Sequence, residues 1–141
     1  MDWYYPVLGG AVTGTAARDR IDSRWDEFVV DGWGVRCVND RPWVTMAETA
    51  ELVLALDLVG CREEALRVFA WTQRLRDRDG SYWTGANHTD GRRYPLERPT
   101  WTSGAVLLAA DALAGGPAAA LFGGGTATSA TTGVAELEAA G

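Results

Sequence analysis

The chain contains no lysine. All thirteen basic residues are arginine, set against nineteen acidic ones, for a formal net charge of -6. That balance argues against nucleic acid or an anionic membrane surface as a main partner. Histidine occurs once, as His88, and cysteine twice, as Cys37 and Cys61. Their number and spacing form neither a metal-ligand set nor a disulfide framework, so no metal, no cofactor and a reduced, cytoplasmic setting are expected. The longest apolar runs are cut by Asp57 and Asp111 before they reach the roughly 20 residues of a membrane span. The opening run Asp2-Trp3-Tyr4-Tyr5-Pro6 lacks the charged and apolar regions of a signal peptide.

What the chain does have is apolar periodicity. It is 47% hydrophobic with seven tryptophans, enough to build a packed core. Thr45-Met46-Ala47-Glu48 reads as a capping box that opens a helix running to about Val59 and stopping at Gly60. Met46, Ala47, Ala50, Val53, Leu54, Leu56 and Leu58 make that helix apolar nearly all round, so it is expected to be buried. A second helix over about 62–76 carries one stripe, Ala65, Val68, Phe69, Thr72 and Leu75, with a polar opposite face. Asp79-Gly80 then breaks the chain, and after a polar loop Arg98-Pro99-Thr100-Trp101-Thr102 leads into another apolar helix over about 103–114.

The first third repeats this order. An amphipathic helix over about 16–29, a break at Asp31-Gly32 and the run Arg41-Pro42-Trp43-Val44-Thr45 precede the buried helix. A period near fifty residues with two unlike helices marks stacked helical hairpins. Such hairpins build an all-α fold, an α/α-toroid, of which only about two and a half are present here. A hairpin of this kind needs neighbours on both sides. The sequence is therefore expected to be the later portion of a longer protein, ahead of self-association of several copies. Residues 1–115 hold the repeats, and 116–141 read as an Ala/Gly/Thr-rich flexible tail.

Phe69, Gln73, Asp79-Gly80 and Trp83, with the weaker copy Trp25, Phe28, Asp31-Gly32 and Trp33, resemble the repeat of the prenyltransferase and squalene-cyclase superfamily. The runs Asp2 to Gly10, Gly34 to Val38, Pro42 to Thr45 and Tyr82 to Gly85 look most like the C-terminal half of actinobacterial proteins labelled prenyltransferase. The likeness covers residues 2–123. It implies a bacterial transferase with an isoprenoid or isoprenoid-diphosphate ligand at the mouth of a helical barrel. The superfamily's Asp-Cys-His zinc set, its Asp-x-Asp-Asp acid and its Asp-Asp-x-x-Asp magnesium motif are absent from the chain.

In a toroid, ligands bind where the inner helices begin. That points to residues 36–51 and 82–101. Glu48 and Glu51, one turn apart, and Asp90 are the candidate catalytic carboxylates. Arg41, Trp43, Tyr82, Trp83, His88, Arg93 and Trp101 are the candidate substrate-binding residues. Arginines beside helix N-termini suit a diphosphate, and aromatics with paired carboxylates equally suit a sugar. The plainer roles are capping for Glu48, repeat packing for Trp43 and Trp101, and solvation for His88. Three functions stay open at this level: an isoprenoid-handling protein, a carbohydrate-active hydrolase, lyase or epimerase, and a non-catalytic scaffold.

Overall fold

The computed structural model describes residues 2–123. In chain order the helices are α1 (Tyr5–Leu8), α2 (Gly14–Asp22), α3 (Trp25–Phe28), α4 (Met46–Leu58), α5 (Arg62–Thr72) and α6 (Thr100–Leu113). Short 3-10 turns follow α5 (Gln73–Leu75) and α6 (Pro117–Leu121). Four short strands, β1 (Val29–Val30), β2 (Gly34–Arg36), β3 (Trp43–Thr45) and β4 (Gly85–Asn87), form one antiparallel sheet in the order β1-β2-β3-β4. The expected all-α fold is therefore corrected to a mixed one, helical hairpins carrying a small sheet. The tail expected over 116–141 falls largely on 124–141, outside the described residues.

Helix α4 is the centre. It packs against α1, α5, α6 and β2. Leu52, Val53 and Leu56 are fully buried among Tyr4, Ile21, Val68 and Val106. Each large aliphatic side chain buried this way contributes about 1.5–3 kcal/mol. The helix ends as its sequence dictates: Gly60, at φ 77, takes the left-handed conformation that only glycine adopts cheaply. Arg62 then closes that end, pairing with Asp57 at 2.6 Å and donating to the Leu113 carbonyl of α6. Asp111 accepts the Ala118 backbone N–H at 2.8 Å, so both helix-end aspartates hold neighbouring groups.

Two sequence expectations change here. The helix expected over 16–29 is split into α2 and α3 at Ser23-Arg24, and α3 ends at Phe28, where the β-branched pair Val29-Val30 pairs with β2 instead. The motifs around Trp43 and Trp101 are also not equivalent. Val44 and Thr45 extend β3, so Trp43 lies in a strand, whereas Pro99 starts α6 and places Trp101 in its first turn. Along α6, Thr102, Val106, Ala109, Ala112 and Leu113 are buried, while Trp101, Leu107 and Leu108 are exposed. Among the described residues no helix is long and apolar enough to cross a membrane.

Candidate functional site

The start of α4 is where strand, loop and chain start converge. Its first backbone donor is taken by another segment: Met46 N–H bonds the Thr84 carbonyl at 2.9 Å. Thr45 occupies the N-cap position, but its hydroxyl donates to the Glu48 carboxylate and makes no bond to the helix backbone. The capping box is thus a side-chain pair, and Thr49 does the joining work. Its hydroxyl accepts the Val35 N–H at 2.9 Å and donates to the Thr45 carbonyl at 2.6 Å, pinning β2 to α4. Gly34, at φ 136, sits against the same hydroxyl with no room for a Cβ.

Glu51 lies one turn beyond Glu48, half-buried. The Tyr4 hydroxyl donates to its Oε2 at 2.7 Å and the Tyr5 hydroxyl to its Oε1 at 3.4 Å. Tyr4 is fully buried and Tyr5 is 41% exposed, so one carboxylate oxygen faces the core and the other the open side. Burial pushes the Glu51 pKa above the usual carboxylate value, the Tyr4 bond opposes that, and the Glu48 charge adds to the rise. Burial, reinforced by Glu51, raises Tyr5 to about 12 and Tyr4 further still. Both tyrosines therefore remain neutral donors at ordinary pH.

Register places Val35, Cys37, Trp43, Thr45, Gly85 and Asn87 on one face of the sheet. Cys37 sits against Glu48 there, and burial followed by the Glu48 charge holds its thiol protonated. A depressed-pKa nucleophile is not what this environment makes. Trp43 stacks on Tyr94, centroids 4.8 Å apart and planes 27° apart. Beside it a shallow depression is lined by Arg36, Asn39, Asp40, Arg41, Pro42 and His88. Burial and the nearby Arg36 lower the His88 pKa, so the imidazole is neutral at pH 7.

The predicted residues separate into groups. Glu48 and Glu51 stand together, with Trp43 on the adjoining sheet face. Arg41 and His88 line the neighbouring depression. Asp90 is exposed on the turn after β4, bonded to the Arg92 N–H at 3.0 Å. Arg93 lies 4.6 Å over the Trp83 ring, and Arg98 lies 5.0 Å from the same ring. Tyr82 turns into the core, where its hydroxyl receives Gln73 Nε2–H at 3.1 Å. Trp101 is 58% exposed. Among the described residues no three His, Cys, Asp or Glu side chains cluster as a metal site. Tyr4 and Tyr5 were not among the sequence candidates. Their only signal was the aromatic run at residues 3–5, far in sequence from α4.

No family model matches the chain. A curated protein of Mycolicibacterium hassiacum, named MMP endo-(1,4)-3-O-methyl-alpha-D-mannosidase, is 63% identical over 113 residues. The match takes in 80% of this chain and 32% of that protein, so the chain spans about a third of the relative's length. That name describes a glycoside hydrolase, and the prenyltransferase resemblance is thereby corrected, together with the transferase and isoprenoid expectations built on it. The Gln and Asp-Gly-aromatic turns that carried the resemblance report how helices are joined, which unrelated activities share. The carbohydrate-active alternative is the one this similarity favours.

Proposed function

We propose that the chain is carbohydrate-active and supplies the proton-donating carboxylate of a glycoside-hydrolase site. Glu51 is the general acid, and the observation that carries this role is its carboxylate, held between Tyr4 and Tyr5 with a raised pKa. Glycosidic cleavage needs an acid protonated at working pH to protonate the leaving oxygen, opposite a second carboxylate at the anomeric carbon. Glu48, bonded to Thr45 and beside Cys37, contributes negative charge that keeps the proton on Glu51 and stabilises a cationic transition state. The Trp43–Tyr94 stack offers an aromatic face to a pyranose ring, and Arg36, Arg41 and His88 line the adjoining polar depression.

The substrate we assign is an α-(1,4)-linked oligosaccharide of 3-O-methylmannose, following the relative's name. The side-by-side packing of α4 and α6, with α5 against them, supports hairpins of an α/α-toroid whose mouth lies at the start of α4. Calorimetric titration with such an oligosaccharide tests the reading. Saturable binding, weakened about tenfold by Trp43→Ala through loss of the stacking surface, is expected. A maltooligosaccharide of equal length should bind more weakly. A folded chain that takes up neither sugar at millimolar concentration would overturn the reading.

A further inference from the structure

The two tyrosines beside Glu51 are unlike each other, and the difference bears on where the proton sits. Tyr4 is fully buried, fixed edge-on between Trp3 (5.2 Å) and Tyr5 (5.1 Å), and its hydroxyl reaches Oε2 at 2.7 Å. Tyr5 stands on the open side with a hydroxyl 3.4 Å from Oε1. A neutral carboxylic acid has one carbonyl oxygen, which accepts hydrogen bonds, and one hydroxyl, which donates. A buried phenol that stays un-ionised and points its hydrogen at one oxygen selects that oxygen as the acceptor. The acid proton then occupies the other, and the more distant Tyr5 hydroxyl turns from donor to acceptor.

We infer that Tyr4 is a positioning residue for Glu51: by donating to Oε2 it confines the acid proton to Oε1, on the side open to a ligand. This rests on the general-acid reading of Glu51 and specifies which atom delivers the proton. Among the described residues, the groups that face this carboxylate are Tyr4 from the turn before α1, Tyr5 from α1 and Glu48 from α4 itself, with Cys37 on the far side of Glu48; the chain's amino group also acts on it, in the lowering direction. Of these, Tyr4 makes the shorter bond, from a fully buried side chain. Its bond favours the ionised form, so its loss should hold the proton more tightly.

The test follows Glu51 itself, in the full chain with carbon-13-labelled glutamate side chains. Tyr4→Phe keeps the ring and removes the donor. It should raise the proton affinity of Glu51 by about tenfold, while Tyr5→Phe changes it less than threefold. Equal shifts in the two variants, or none in Tyr4→Phe, would overturn the assignment. A second variant does not depend on Tyr4→Phe folding. In Glu51→Gln the amide copies the neutral acid, with its oxygen as acceptor and its NH2 as donor. Its NH2 protons should show cross-relaxation to the Tyr5 ring and not to Tyr4, and the reverse pattern refutes the inference. Neither readout requires a sugar, so failure here is separable from failure of the carbohydrate reading.

Discussion

Replacing Thr49 with valine removes one oxygen and little volume, yet it should be among the more damaging single changes near the site. The hydroxyl serves two backbone groups at once, the Val35 N–H at 2.9 Å and the Thr45 carbonyl at 2.6 Å. Both Val35 and Thr49 are shut off from water. The Thr45 carbonyl loses little, since an N-cap carbonyl also accepts the first intrahelical bond. The Val35 N–H is left buried without its partner, at a cost of about 1–3 kcal/mol. For a domain of this size that corresponds to a midpoint about 4–12 °C lower. Thr49→Ser keeps the oxygen and loses a methyl group, costing roughly 1 kcal/mol. Thermal and urea unfolding of the three proteins at one pH decide the matter. If valine proves as stable as serine, the hydroxyl is not what holds β2 to α4.

Gly34→Ala should destabilise by about 2 kcal/mol or more, because its φ of 136 is strained for a side chain and the new Cβ meets Thr49 Oγ1. Combined with Thr49→Val it should fall short of additivity, since both changes act on one hydroxyl; additive urea midpoints would contradict the shared contact. Glu51 holds its proton more tightly folded than unfolded. The folded state thus binds more protons between the two titrations, and stability should fall as pH rises through that interval. Glu51→Gln should lack this decline, and urea midpoints from pH 4 to 8 that keep the wild-type slope would count against it. In a Cys61→Ser background, Cys37 should react slowly with a disulfide reagent at pH 7.5, and Glu48→Gln should speed it several-fold by removing the negative neighbour. No acceleration would mean Glu48 does not govern the thiol.

Much of the helical frame could be read from residues close in sequence. Gly60 stops α4 because a left-handed residue is needed there, and the all-round apolar pattern of α4 marks its burial. The sheet was not legible, because its strands hold two or three residues each, too few for alternation to show. They form because non-local pairing completes them, Val35 with Thr45 and Trp43 with Asn87. Within the site, Glu48 and Glu51 were visible as two carboxylates one turn apart. Tyr4 and Tyr5 were not, since 46 or 47 positions separate them from Glu51 and only packing of α1 on α4 brings them together. The resemblance misled for a related reason: turn motifs encode joints between helices, and joints say little about what lies between them.

The bond from Met46 N–H to the Thr84 carbonyl also bears on ligand choice. A helix start ordinarily offers free N–H donors and partial positive charge, which together attract phosphate. Here one such donor is already spent on the protein's own backbone, and Glu48 puts negative charge over the first turn. If the proposed carbohydrate site lies there, an anion would meet repulsion, while an uncharged polyol would meet acceptors for its hydroxyls. On the proposed reading, this end of the helix is biased toward neutral guests before any one contact selects among them.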